Sequence, residues 1–68
     1  MTSTFKYSKD QQYHHRIIVE FIYDDEGGSI TVADDTFNGT IEEAREYGEK
    51  LMRKVGGNDF TFYPKYKL

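Results

Sequence analysis

The sequence contains no cysteine. Disulfide staples, the usual cysteine-based zinc fingers and thiol chemistry are thereby excluded together, and stability has to come from packing. No apolar run approaches the roughly 18 residues that would cross a bilayer, and Met1 to Lys6 lack the apolar region of a secretory signal. The expectation is a soluble, cytoplasmic protein with no membrane partner. Bases are scarce in the middle of the chain. From Glu20 to Glu49 ten acids meet one base, Arg45, a local net of −9, whereas outside that window eight bases meet only Asp10 and Asp59, a net of +6. The overall charge of −3 therefore conceals a dipolar distribution, with acids central and bases flanking.

What is present has to build one small core. Sixty-eight residues make a single domain, residues 1–68, because a chain this short buries only about 60% of the surface its unfolded form exposes. Hydrophobic residues are 37% of the chain, a low share, but eleven of them are aromatic and each large ring can bury about 150–250 Å².

Residues 13–23 alternate, with Tyr13, His15, Ile17, Val19, Phe21 and Tyr23 on one face and His14, Arg16, Ile18, Glu20 and Ile22 on the other. Apolar groups on both faces predict a central strand. Asp24-Asp25-Glu26-Gly27-Gly28 reads as a hairpin turn into a short second strand, Ser29 to Ala33, and Asp34 to Gly39 reads as a loop. Thr40, followed three residues later by Glu43, has the form of a capping box. Ile41, Ala44, Gly48, Leu51 and Val55 then mark one helical stripe, and Gly56-Gly57 stops it, which predicts a helix over 40–55. Gly48 within that stripe suggests close approach to the sheet.

From Asn58 the chain alternates again, with Phe60, Phe62, Tyr66 and Leu68 opposite Thr61, Tyr63, Lys65 and Lys67, and Pro64 argues for an edge strand. A right-handed crossover through the helix sets this strand beside the first. The predicted fold is α+β, β-β-α-β, with sheet order 2-1-3. Phe5 and Tyr7 are candidates for an extra N-terminal strand, with residues 1–12 partly mobile. The expected core is Ile17, Val19, Phe21, Ile30, Val32, Ile41, Ala44, Leu51, Val55, Phe60 and Phe62.

No GxGxxG, Walker A, HExxH or GxSxG pattern occurs. His14 and His15 are neighbours in a strand, so they point to opposite faces and cannot chelate one ion together. The hairpin acids lack the spacing and closing Glu of a calcium loop. These readings predict a protein that is not an enzyme and uses no metal or cofactor. The candidate partner-binding residues are instead Asp24, Asp25 and Glu26 of the turn, Asp34 and Asp35, and Glu42, Glu43 and Glu46 of the helix. Together they are read as a nucleic-acid-mimicking surface for a protein partner whose Lys and Arg normally neutralise phosphates.

A second candidate surface is the sheet face that the single helix leaves open. It carries Ile18, Ile22 and Tyr63, with His14, Arg16, Glu20, Lys65 and Lys67 around them, and is expected to be covered by the N-terminal segment, a second copy of the chain or a partner. The interleaved bases and rings of the flanks, Lys6, Tyr7, Lys9, Tyr13, Tyr63, Lys65, Tyr66 and Lys67 among them, also fit a single-strand nucleic-acid platform, although the acidic balance disfavours direct nucleic-acid binding.

In length, absence of cysteine, acidic balance and β-β-α-β order, the chain resembles the small inhibitors encoded by phages and mobile elements, anti-CRISPR proteins among them. The resemblance implies a non-catalytic protein that blocks a host defence or nucleic-acid-handling complex by occupying its surface. The alternative is a small homodimeric interaction module.

Overall fold

The computed structural model describes residues 8–68. Its elements are β1 (Tyr13–Ile22), β2 (Ser29–Gly39), α1 (Ile41–Val55) and β3 (Asp59–Lys67). They form an α+β fold in which one helix packs on a three-stranded sheet of order β2-β1-β3, with both outer strands antiparallel to β1. The order is the one expected from the crossover argument. The suggested strand at Phe5 and Tyr7 lies outside the described residues. Among the described residues no helix is long and apolar enough to cross a membrane.

The helix begins and ends where its sequence provides for its unpaired backbone groups. Thr40 Oγ1 accepts from the Glu43 N–H at 3.2 Å, and the Glu43 carboxylate accepts from the Thr40 N–H at 2.9 Å. At the other end Gly56 takes a left-handed φ of 78°, and its N–H donates to the Met52 carbonyl. Glu42 and Glu43 in the first turn and Arg53 and Lys54 in the last complement the helix dipole. Gly48 is buried, and a Cβ built on it would stand 2.6 Å from the Phe60 ring. The bare backbone there is what allows the helix to come down onto β3.

β2 is longer than the sequence suggested. The stretch Asp34 to Gly39, expected as a loop, continues the strand. Its turn-like composition is overridden because each acid finds a partner: Arg16 holds Asp34 on one face, and Tyr47 holds Asp35 on the other. A bulge makes this possible. Val19 pairs with Ala33 but Glu20 pairs with Thr31, so Val32 is an extra residue. Unbroken alternation from Ile30 would have turned Asp34, Thr36 and Asn38 toward the helix. The extra residue resets the phase, and Asp35 and Phe37 face the helix instead.

A second bulge acts on β3. His15 pairs with Pro64 and His14 with Tyr66, so Lys65 is the extra residue. Tyr66, expected on the same face as Phe60 and Phe62, is thereby turned to the open face, where it stacks on His14 at 4.9 Å. Lys67, expected on the open face, pairs with Tyr13 and takes a register position on the helix side.

The buried centre consists of Tyr13, His15, Ile17 and Val19 of β1 with Ala44 of α1. Of the expected core, Ile17, Val19 and Ala44 are fully buried, and Val32, Ile41, Leu51, Phe60 and Phe62 are half-buried. Phe21, Ile30 and Val55 are not core residues, being 40%, 55% and 36% exposed. The reason is length. Fifteen helical residues cover about 22 Å, whereas the ten residues of β1 extend about 33 Å. The helix therefore runs out before the sheet does. Its exit is pinned at that point: the Asn58 backbone N–H donates to the Glu20 carbonyl, and the Asn58 side chain bonds both the N–H and the carbonyl of Ile22. Beyond this clamp the β1–β2 hairpin projects with no helix over it.

Candidate interaction surfaces

The acids expected to form one docking surface occupy three places. Asp24, Asp25 and Glu26 tip the projecting hairpin, at the end of the sheet where the helix finishes. Asp24 is structural as well as charged, because one carboxylate oxygen accepts from the N–H groups of Glu26 at 2.8 Å and Gly28 at 2.9 Å and so shapes the turn. Asp25 and Glu26 are exposed and have no ion-pair partner among the described residues. Beside them stand Phe21, Ile22, Tyr23 and Ile30, all at least 40% exposed. These uncovered apolar side chains gather at one end of the sheet, Ile22 on the open face and Phe21 and Ile30 on the helix side. Phe21 and Ile30, paired across the strands, are uncovered because they lie past the end of the helix.

Glu42, Glu43 and Glu46 stand at the opposite end, on the first turns of α1. Glu43 is committed to the cap, and Glu42 lies 4.0 Å from Arg45 in an exposed pair. Surface pairs of this kind contribute little. Glu49 and Arg53, at i,i+4 on the helix, pair at 3.9 Å. Glu43 and Glu46, with Lys50, border a groove of about 240 Å³ whose floor includes Phe37 and Tyr47. The two rings stack at 4.8 Å, and the Tyr47 hydroxyl donates to Asp35 at 2.5 Å. This bond, with a second from the Thr36 N–H, holds the Asp35 carboxyl below its usual range and raises the Tyr47 phenol above its own. The loop-like composition of Asp34 to Gly39 hides this groove in the sequence, because Phe37 lies in β2 and faces the helix. The signal was the alternation Ala33, Asp35, Phe37 and Gly39, visible only once the extra residue at Val32 is admitted.

Asp34 belongs to neither acidic patch. It points to the open sheet face, where Arg16 grips both of its oxygens at 2.5 and 3.0 Å. The pair drives the Asp34 carboxyl down and the Arg16 guanidinium up, Arg16 being further raised by the Tyr63 hydroxyl at 3.4 Å. Around this pair the open face presents Ile18, half-buried, with Ile22, Tyr63 and Tyr66 at 41%, 39% and 57% exposure. The start of the described chain does not cover them. The Ser8 N–H donates to the Tyr13 hydroxyl, and Lys9 borders a cavity with Ile41, Glu42 and Arg45, so residues 8–12 turn toward the helix side.

The two histidines separate as strand geometry requires. His14 lies on the open face with Nδ1 2.7 Å from Asn38 Oδ1. His15 is fully buried, with Nε2 2.8 Å from the Gly39 carbonyl. A carbonyl can only accept, so Nε2 carries the proton, and Nδ1 is buried with no hydrogen-bond partner. Rings surround it, with Tyr13, Phe37 and Phe62 centred 5.9 to 6.4 Å away. Among the described residues no group of three His, Asp or Glu side chains converges in a way that could hold a metal ion.

No protein-family model, curated protein or solved structure matches this chain.

Proposed function

We propose that the protein is a non-enzymatic, anti-CRISPR-like inhibitor that docks acidic elements on a basic, nucleic-acid-binding surface of a defence or nucleic-acid-handling complex. The observation that carries this reading is the projecting hairpin. A solvated charged face needs no apolar neighbours, yet Asp25 and Glu26, without an ion-pair partner among the described residues, stand beside exposed Phe21, Ile22, Tyr23 and Ile30. Acids supply steering and complementarity to Lys and Arg, and uncovered apolar groups supply the buried contact that gives an interface its strength. The helix acids Glu42 and Glu46 add a second negative patch. The reading of the flanks as a single-strand nucleic-acid platform gains less support, because Arg16 is engaged by Asp34 and His14 stacks on Tyr66 rather than standing free for a base.

The test measures target-DNA binding by purified CRISPR effector complexes and nucleases in the presence of the protein. The charge reversals are Asp25→Lys, Glu26→Lys, Glu42→Lys and Glu46→Lys. Asp24 and Glu43 are spared because they hold the turn and the cap. The parent should reduce DNA binding, and the effect should fade as the Debye length shortens from about 10 Å at 0.1 M salt to about 3 Å at 1 M. The reversed variant should lose the effect while a Lys65→Glu/Lys67→Glu variant keeps it. The opposite result would replace the acidic reading with the basic-aromatic one.

A further inference from the structure

The open sheet face has a charge pattern with a property that a general protein-binding surface does not need: it is complementary to itself. Along β1 the residues of this face run His14, Arg16, Ile18, Glu20 and Ile22. Reversed about Ile18, Arg16 exchanges with Glu20 and His14 with Ile22. The neighbouring β3 repeats the pattern. Tyr63 stands in the row of Arg16, Thr61 in the row of Ile18 and Asp59 in the row of Glu20.

We infer that this face is an isologous contact between two copies of the chain. The sheets pack face to face, the β1 strands run antiparallel, and the two-fold axis crosses them at Ile18. Arg16 of each copy then faces Glu20 of the other, and each Tyr63 hydroxyl faces the Asp59 carboxylate of the other. The remaining face-to-face two-fold, with its axis along the strands, would set Arg16 against Arg16 and Glu20 against Glu20, and is disfavoured by like charge. Asp34 lies in the axial row, but Arg16 of its own copy already holds both of its oxygens, so it does not stand there as a bare charge. Ile18, Ile22, Tyr63 and Tyr66 provide the apolar contact. Aligned packing of two sheets is the ordinary way such faces are buried.

The area sets the strength. Three strands about 4.8 Å apart and about ten residues long make a plate of roughly 33 by 14 Å. Two plates remove about 900 Å² before side-chain relief is counted, below the about 1,200 Å² at which stable interfaces begin and within the range of weak, transient ones. The dimer is therefore concentration-dependent, not permanent. Its geometry sends the two hairpin arms out of opposite ends, so it leaves the acidic tips free. This inference does not rest on the proposed function: the two surfaces share only Ile22, and the charge pairs that define the dimer lie on the other residues of the open face.

The experiment is sedimentation equilibrium from about 1 µM to about 1 mM, the range in which so small an interface forms and dissociates. The parent should shift from the monomer mass to twice that mass, and Ile18→Lys should remain monomeric. The decisive pair is Arg16→Glu and Glu20→Arg. Each variant alone opposes like charges and should dimerise at least tenfold more weakly than the parent. An equimolar mixture restores both cross-pairs and should form mixed dimers more tightly than either variant alone forms its own. Loss of folding in one variant cannot mimic that rescue. A parent that stays monomeric to about 1 mM overturns the inference, as does a mixture that associates no better than its separate components.

Discussion

Replacing Gly48 by Ala sets two effects of known size against each other. In an exposed helix the change stabilises by about 1 kcal/mol, because alanine loses less backbone entropy and has the better propensity. Here the new Cβ would stand 2.6 Å from two carbon atoms of the Phe60 ring, about 1 Å inside contact distance, with Ile17 Cγ2 at 3.5 Å on the other side. A phenyl ring cannot yield at one edge without turning or moving as a whole, and overpacking of this kind costs about 1–3 kcal/mol. The clash should win. Gly48→Ala is expected to destabilise by up to about 2 kcal/mol, read as a lower denaturant midpoint with an unchanged slope. The control is Phe60→Leu. It removes the obstructing ring edge and is itself destabilising, but Gly48→Ala made on that background should be neutral or stabilising, giving a coupling of opposite sign to the single change. If Gly48→Ala stabilises the parent by about 1 kcal/mol, the close-approach account of this glycine is refuted and the residue is simply tolerated.

Two further predictions concern the groove and the hairpin clamp. The lowered Asp35 carboxyl contributes stability that is present above the ordinary carboxylate range and is lost as pH falls toward its depressed value, and the raised Tyr47 phenol contributes stability that is lost as pH climbs past about 10. The stability difference between the parent and Asp35→Asn should therefore be largest near neutrality and shrink toward both extremes, and a difference that does not vary with pH would dissociate the bond from stability. Asn58→Ala removes both side-chain bonds to Ile22 and should cost about 1–2 kcal/mol. Its amide protection loss should be confined to residues 20–30, as hydrogen exchange would report, and uniform loss across the chain would show that the clamp does not define the arm.

What the sequence determined by itself are the features whose causes are local. The helix over Ile41–Val55 follows from the capping box at Thr40 and Glu43, the apolar stripe and the glycine stop, each set by residues within a few positions. The central place of β1 follows from apolar groups on both of its faces, and that central place sets the order β2-β1-β3. Tertiary structure decided everything that depends on a neighbouring strand or on relative length. Alternation along one strand carries no mark of an extra residue. The bulges at Val32 and Lys65 are created by pairing with β1, and they turn Phe37 inward and Tyr66 outward. The same phase change sends Asp34 to Arg16 and Asp35 to Tyr47, so two adjacent acids read as one charged pair serve opposite faces. Phe21 and Ile30 continue the core pattern in sequence, yet stand exposed because a 15-residue helix is shorter than the strands it lies on. Each of these outcomes turns on distances between elements, and a one-dimensional pattern does not contain them.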